Sequence, residues 1–307
     1  MNLSIVIPAF NESESLPTLL QQIKDVVNPL KLQYEIIVVD DGSTDGTDKV
    51  LRELKPQNGP LKAFIFRKNH GKSAALSEGF KYAKGEIIIT LDADLQDDPA
   101  EIPNLIKKIE EGFDLVSGWK KKRHDPITKR LPSRLFNFVT SLLSGIRIHD
   151  FNCGLKAYRK EVTASVNIYG ELHRFIPVLA HWQGFKVTEI KVQHHPRKYG
   201  KSKFGIKRFY HGFLDLITVL FLTRYKTSPL HIFGMMGLTI FSIGVLIEIY
   251  LTILWFGGAG IGRRPLFFLG ITFIIVGAQF IVLGLLGEML SAGFAEHTEY
   301  SYKDIIE

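Results

Sequence analysis

The first third of the chain places its apolar residues in short β-branched runs. Leu3 to Ile7, Glu35 to Val39, Lys62 to Phe66, Ile87 to Leu91 and Asp114 to Ser117 each read as a strand bounded by turn-forming residues. Between them the apolar spacing lengthens to three and four, which predicts helices near Glu14 to Val27, Asp45 to Leu54, Lys72 to Ala83 and Pro99 to Glu111. Alternation of this kind implies an α/β unit with a mostly parallel sheet covered on both faces. Beyond residue 120 the pattern loosens. Pro132 to Ile146 carries Leu135, Phe136, Phe138, Val139, Leu142 and Leu143, while Phe204 to Tyr225 mixes Phe209, Phe213, Leu214, Ile217, Leu220 and Phe221 with Lys207, Arg208 and Arg224. Either stretch suits a helix lying flat on a membrane surface or a helix packed on the sheet.

The end of the chain differs in kind. Ile232 to Phe256 is apolar but for Glu248, and Leu266 to Leu290 repeats this with Gln279 and Glu288. As helix, each run is roughly 37 Å long, enough to cross a hydrocarbon core of about 30 Å with some tilt. Gly257 to Pro265 is short enough to be only a turn, so the two runs predict a transmembrane hairpin with both ends on one side. Lys203, Lys207, Arg208, Arg224 and Lys226 precede the hairpin, against Arg263 and Arg264 in its loop, which places the large domain in the cytoplasm. Glu248 and Glu288 should face a helix partner or the interface. Glycines recur every seven residues at Gly237 and Gly244, and at Gly270, Gly277 and Gly284, a stripe that allows close helix approach and homo-oligomer formation through the membrane helices.

Charge and cysteine content narrow the partners. The formal net charge is +7, which suits anionic ligands or acidic lipid. The single cysteine, Cys153, excludes an intrachain disulfide and fits a reducing compartment. The first residues lead straight into a strand pattern, so no secretory signal is expected. None of the recognised nucleic-acid motifs occurs, so no nucleic-acid partner is expected.

Three polar clusters fall where the predicted strands end: Pro8 to Glu12, Asp40 to Asp45 and Asp92 to Asp97. Ligands of open α/β sheets bind beyond those ends. Asp92 and Asp94, two apart on an extended backbone, would project together and repel unless a cation lay between them. Mg²⁺ or Mn²⁺ suits such a pair, taking one or two carboxylates plus substrate phosphates. Gly71-Lys72-Ser73 echoes a phosphate-binding loop, but Phe66 stands where that motif needs glycine, and no dinucleotide-type glycine fingerprint follows the first strand. His173, His194 and His195 lack metal-ligand spacing and read as structural or substrate-contacting residues.

Val6-Ile7-Pro8-Ala9-Phe10-Asn11-Glu12, Val38-Val39-Asp40-Asp41-Gly42-Ser43-Thr44-Asp45 and Leu91-Asp92-Ala93-Asp94-Leu95-Gln96-Asp97 together resemble the family-2 glycosyltransferases. The Asp-Ala-Asp-Leu-Gln form is similar to that of the polyprenyl-phosphate hexosyltransferases. So are Asp150 to Gly154, Arg174 to Pro177, Arg197 to Lys203 and the ending Leu285-Leu286-Gly287-Glu288. The resemblance implies a GT-A, Rossmann-like, mostly parallel sheet with interfacial amphipathic helices and a C-terminal two-helix transmembrane hairpin. Its parts would be a catalytic domain over 1–203, interfacial helices over 204–229, and the hairpin with a short tail over 230–307.

The resemblance also implies roles. Pro8, Ala9, Glu12, Asp40, Asp41, Lys72, Asp92, Arg197 and Lys203 would bind the nucleotide sugar, Asp40 by supporting its loop and the two basic residues by closing on the diphosphate. Asp92, Asp94 and Gln96 would hold the metal, Mg²⁺ or Mn²⁺. Lys120, Arg130, Ser133 and Arg134, within a basic belt that includes Lys121, Lys122, Arg123 and Lys129, would meet the acceptor phosphate. Lys120 stands where the family expects an arginine and brings charge without a bidentate fork. Asp94, Asp150 and Arg130 would serve the reaction itself. A phosphate monoester is largely dianionic at pH 7, so Asp150 is expected to orient cations or the acceptor and not to remove a proton.

The expected activity is transfer, with inversion, of a hexose from a nucleotide diphosphate sugar to a polyprenyl phosphate (undecaprenyl or dolichyl) at the cytoplasmic face of the inner membrane. UDP-glucose is the favoured donor and GDP-mannose the alternative. A non-catalytic membrane receptor for nucleotide sugars is the rival from another class. Processive polysaccharide synthesis loses support because Gln-x-x-Arg-Trp is missing.

Overall fold

A computed structural model describes residues 2–55, 59–121, 127–196, 218, 228–258, 260 and 265–295; side chains at 127–132, 134–135 and 292–295 lie outside that description. Arg197, Lys203, Arg263 and Arg264, the charged and aromatic residues of the 204–227 stretch, and the side chains of Arg130 and Arg134 therefore fall outside the described residues. The chain divides into two units, Met1–Val219 and Leu220–Glu307.

The first unit is built on β1 (Leu3–Ala9), β2 (Tyr34–Asp40), β3 (Leu61–Ile65), β4 (Ile87–Thr90), β5 (Leu115–Trp119), β6 (Lys156–Arg159) and β7 (Val187–Lys191). Its helices are α1 (Leu16–Val27), α2 (Thr47–Leu54), α3 (Lys72–Tyr82), α4 (Ile102–Glu110), α5 (Ile127–Ser144), α6 (Lys160–Ser165) and α7 (Ile176–Trp182). The sheet order is β3-β2-β1-β4-β6-β5-β7. All neighbours run parallel except β6, which is antiparallel to both β4 and β5.

Alternating side chains explain why both faces are covered. Leu3, Ile5, Ile7, Ile36, Val38 and Ile89 join one core with Leu16, Leu19, Leu20 and Ile23 of α1 and Ile102, Leu105, Ile106 and Ile109 of α4. Val6, Ile37, Val39, Ile88 and Tyr158 join the other with Ala75 and Leu76 of α3 and Val162 of α6. The sequence pattern places the first five strands and first four helices within a residue or three of these bounds. It misses β6, β7, α6 and α7. β6 is a four-residue strand that opens on a lysine and closes on an arginine, Lys156-Ala157-Tyr158-Arg159, and carries no apolar run.

At the amino-terminal edge of the sheet, Glu35 is buried and accepts three bonds: Ser4 Oγ at 2.7 Å, Lys84 N at 2.7 Å and Lys62 Nζ at 2.6 Å. Burial alone would raise its carboxyl, but these donors outweigh burial and hold it below the ordinary glutamate value. Glu35→Gln is expected to cost about 1–3 kcal/mol, seen as a lower Tm, with activity kept because the carboxyl edge is untouched. The Tm gap is full above the unfolded glutamate value and closes as pH falls through the lower folded value, where the native carboxyl protonates too.

In the second unit α8 (Pro229–Phe256) and α9 (Pro265–Ala295) pack against each other as a hairpin, and both are long and apolar enough to cross a membrane. A Cβ on Gly237 would sit 2.7 Å from the Gly277 carbonyl oxygen, and one on Gly244 2.8 Å from that of Gly270. The glycine stripe is thus filled within the hairpin, and self-association would have to use another face. Glu288 Oε2 accepts from Leu230 N at 3.2 Å, satisfying one of the open donors at the start of α8. Glu248 rests against Gly270 of the facing helix.

Candidate active site

Three loops meet at the carboxyl edge of β1, β2 and β4. The loop after β1 is knitted to the loop after β2 by side chains that act as turn formers. Asn11, at φ 58°, donates its backbone N to Ser43 Oγ at 2.8 Å, while Thr44 N donates to Asn11 Oδ1 at 2.8 Å. Glu12 N donates to Thr47 Oγ1 at 3.1 Å, and Ser15 Oγ donates to Glu12 Oε2 at 2.8 Å. Pro8 is half-buried and Ala9 buried; the Ala9 carbonyl accepts from Asp41 N at 2.8 Å.

Asp40 and Asp41 divide the work between loops. Asp40 is buried and accepts from Ser43 N and Oγ; burial pushes its carboxyl up, and the Ser43 bonds only partly offset this. Asp41 accepts from His70 N at 2.7 Å and Gly71 N at 2.9 Å, one bond to each oxygen. It therefore pins the loop that starts α3 and so sets the position of Lys72. Asp41→Ala should strand both amides, cost about 2–3 kcal/mol, and weaken nucleotide binding more than it lowers Tm, as titration with a fluorescent nucleotide would show.

The acidic motif follows β4. The strand ends at Thr90, one residue earlier than the pattern predicts, because its pairing ends at Val6 on one side and Lys156 on the other. Asp92 and Asp94 thus stand on a turn and not on an extended strand, with Leu95 at φ 60°. Alternation in burial nevertheless persists: Leu91, Ala93, Leu95 and Asp97 are buried, while Asp92, Asp94 and Gln96 keep access to solvent. Asp94 Oδ1 accepts from Gln96 N at 3.2 Å.

Asp92 is the hub of the site. Its Oδ1 pairs with Lys72 Nζ. Its carboxylate lies flat against Gly154, where an added Cβ would fall 2.5 Å from Oδ2 and 2.6 Å from Oδ1. Burial opposes the charge, but the ammonium groups of Lys72, Lys120 and Lys156 hold the carboxyl well below the usual range.

Lys156 on β6 is buried and donates to the Cys153 carbonyl; burial lowers its ammonium from the ordinary lysine value. Lys72, Asp92, Gly154, Lys156, His173 and Arg174 line one pocket. His173 Nδ1 lies 2.9 Å from Ser73 Oγ, at the start of α3. Sequence reasoning missed Lys156 because it missed β6. The available signal was a lysine two residues after the Asp150-Phe151-Asn152-Cys153-Gly154 motif, set between Leu155 and Ala157.

Two expected acceptor contacts are placed differently from a surface belt. Lys120 is half-buried, its side chain 12% exposed, with Nζ 2.7 Å from Asp97 Oδ1. Burial works against its charge, yet Asp97 and Asp92 hold the ammonium well above the usual lysine value. A charge in this low-dielectric position needs a fixed partner, so Lys120 leaves the solvated belt. Ser133 on α5 is half-buried. Asp150 is fully buried; its Oδ1 accepts from Asn152 N at 3.1 Å and its carbonyl from Ser117 Oγ at 3.2 Å, which fixes the turn leading to Gly154.

Asp92, Asp94 and Gln96 fit a hard divalent cation by donor chemistry: two carboxylates and an amide oxygen within five residues, all accessible. Among the described residues no three His, Cys, Asp or Glu side chains group closely enough to enclose an ion alone.

A family model described as "Glycosyl transferase family 2" matches residues 4–166. The dodecaprenyl-phosphate galacturonate synthase of Rhizobium johnstonii is 37% identical over 297 residues, 95% of this chain and 88% of that protein. The undecaprenyl-phosphate 4-deoxy-4-formamido-L-arabinose transferase of Pseudomonas syringae is 36% identical over 296 residues, 95% and 86% of the two chains. Among solved structures, glucosyl-3-phosphoglycerate synthase from Mycobacterium tuberculosis superposes with a TM-score of 0.53 at 19% identity, covering 72% of this chain and 79% of that one. Another structure of that enzyme, in complex with Mn²⁺ and UDP-glucose, gives a TM-score of 0.51 at 20% identity, with 72% and 78% covered. At these identities the likeness establishes the fold.

Proposed function

The chain belongs to glycosyl transferase family 2, and from that premise we propose that it transfers a sugar from a UDP-linked donor to a polyprenyl phosphate at a membrane surface. One observation carries this reading: a single chain joins an acidic and lysine-bearing site at the strand ends to two helices of membrane-crossing length. The relatives named for undecaprenyl and dodecaprenyl phosphate align over nearly the whole chain, hairpin included.

In this reading Pro8, Ala9, Glu12 and Asp41 frame the nucleotide, on loops held by Asp40. A carboxylate there can accept from ribose hydroxyls or a base N–H. Mg²⁺ or Mn²⁺ bound by Asp92, Asp94 and Gln96 would supply positive charge beside the departing diphosphate. Lys72, fixed between Asp41's loop and Asp92, adds a second positive charge on the same side. Asp150 stiffens the turn that holds Gly154 against Asp92. The acceptor phosphate, dianionic at neutral pH, attacks in line, so the anomeric configuration inverts. Arg130 and Arg134 on α5, with Ser133 between them, are the acceptor-phosphate candidates, and Arg197 and Lys203 the diphosphate ones. The basic residues that precede the hairpin in the sequence support a site on the cytoplasmic side.

UDP-glucose is the donor the motifs favour, with GDP-mannose as the guanine-linked alternative. A second reading, UDP-galacturonate, has a specific observation behind it. The pocket beside Asp92 is lined by Lys72, Lys156 and Arg174; Lys72 pairs with Asp92 and Arg174 with Glu171 at its edge, which leaves the basic side chains in excess by one and suits a sugar carrying its own negative charge.

The deciding experiment offers detergent-purified protein undecaprenyl phosphate, Mn²⁺ and each of UDP-glucose, UDP-galacturonate, UDP-4-deoxy-4-formamido-arabinose and GDP-mannose. Mass spectrometry identifies the glycolipid. One UDP-sugar should be consumed, and a chelator should stop it. Donor binding without consumption of any of them would return the protein to the receptor class.

A further inference from the structure

The turn that carries the cation candidates is held from outside by a distant segment of the chain. The backbone of β7 continues past Lys191 along β5, with Val192 N donating to the Trp119 carbonyl at 3.1 Å and the Val192 side chain buried in the core. The next three residues lie against the loop after β4. His194 pairs with Asp97 as a single antiparallel bridge. The Gln96 carbonyl accepts from His195 N at 2.9 Å, and His194 Nδ1 lies 3.1 Å from the same oxygen. Glu101 Oε1 accepts from Gln193 N at 3.2 Å, and Asp98 Oδ2 lies 3.0 Å from His195 Nε2.

His194 is buried, whereas its neighbours Gln193 and His195 are exposed. A carbonyl oxygen can only accept, so Nδ1 carries the ring proton in this contact. The bond falls on Gln96, one residue past Leu95 at φ 60°, a backbone conformation that side chains other than glycine disfavour. Leu95 is nonetheless buried, so the turn is fixed against that preference. Inside the turn, Gln96 N donates to Asp94 Oδ1, an oxygen that a cation would also draw on. A support that leaves the acidic groups free has to come from outside, and the His194 ring supplies one through the Gln96 carbonyl. Asp97, the next residue, is held from the end of β5 by Lys120. β5 and β7, neighbours at the far edge of the sheet, thus both reach the loop after β4.

We propose that His194 is a positioning residue for the cation site: its Nδ1–H holds the Gln96 carbonyl and so fixes the turn on which Asp94 and Gln96 present their side-chain oxygens. The proposal rests on the reading in which Asp92, Asp94 and Gln96 bind Mg²⁺ or Mn²⁺. In this role His194 acts through Gln96 and not as a ligand. Groups that orient a metal's ligands in this way govern its affinity by about 10- to 100-fold.

The test compares His194→Phe, which fills the ring's volume without a donor, with His194→Asn, whose amide Nδ2 stands as far along the side chain as Nδ1 did. The full chain, purified in detergent, is read in two ways. Without metal, deuterium exchange over residues 94–98 should quicken by about tenfold in His194→Phe, as the loss of one hydrogen bond predicts, and stay near wild type in His194→Asn. With Mn²⁺ followed by electron paramagnetic resonance, His194→Phe should bind the ion about tenfold more weakly and His194→Asn within about threefold of wild type. Turnover of His194→Phe should recover at saturating Mn²⁺, because the groups that meet the substrates are unchanged. Should phenylalanine prevent folding, His194→Leu carries the same comparison. Unchanged exchange in His194→Phe, or unchanged Mn²⁺ affinity beside a wild type that binds the ion, would overturn the proposal alone. So would equal losses in the two variants, since ring packing and not the bond would then be what counts. A wild-type chain that holds no Mn²⁺ would instead overturn the cation reading, and the proposal with it.

Discussion

Asp92→Asn is expected to lower turnover by about 10³-fold and to lower Tm as well, because the buried Lys156 loses its nearby negative charge. Asparagine fills the same volume beside Gly154, so packing is preserved and the loss is electrostatic. Three ammonium groups, those of Lys72, Lys120 and Lys156, act on the Asp92 carboxylate. Removing its charge leaves them facing one another and leaves the diphosphate side of the site without the acidic residue around which they are arranged. Single-turnover kinetics with saturating donor separate this from weak binding. Asp150→Asn is the instructive comparison. Asp150 is buried and caps its own turn, and its substitution should cost about tenfold. A loss equal to that of Asp92→Asn, with unchanged substrate affinity, would show that a base does remove a proton in the reaction.

Gly154→Ala should be nearly as damaging, through geometry alone. The new methyl group would have to occupy space held by the Asp92 carboxylate, with all three carboxyl atoms closer than van der Waals contact allows. Neither side can yield easily: Gly154 O accepts from Thr90 Oγ1 at 2.7 Å, and Asp92 is tied to Lys72. The carboxylate is expected to move by about 1 Å, and a displacement of that size costs about 10²-fold in rate. The expected signature is a fall in kcat together with weaker Mn²⁺ binding by electron paramagnetic resonance, with Tm lowered by only a few degrees. Unchanged Mn²⁺ affinity would mean that Asp92 does not position the cation.

Much of this was legible in the chain because the first half obeys local rules. β1, β2 and β4 are β-branched runs buried on both faces, and the three polar clusters at their ends converge as the topology of an open sheet requires. What escaped was non-local. β6 takes its place between β4 and β5 by pairing with both, and Lys156 at its start is acceptable there because Asp92 and the Cys153 carbonyl lie nearby. No window of sequence reports that compensation. The surroundings of Lys120 escaped for the same reason: it belongs to a run of basic residues, but its ammonium lies against Asp97, on the loop after β4. Helix α5 was legible only as an ambiguity. Its apolar residues could be counted, but which side of the helix faced protein depended on Asn137, Thr140 and Ser144 being buried.

The interlocked glycines of α8 and α9 have a consequence for how the anchor meets lipid. With backbones in contact along one seam, the bulky side chains are displaced to the opposite flanks: Leu238, Leu246, Ile253, Phe268, Leu283 and Met289 all point away from the seam. In a bilayer the pair would present to the acyl chains a single broad, rough column and not two slender rods. Such a column has one orientation to find in the bilayer where separate helices would have two, so the anchor can tilt or turn only as a unit.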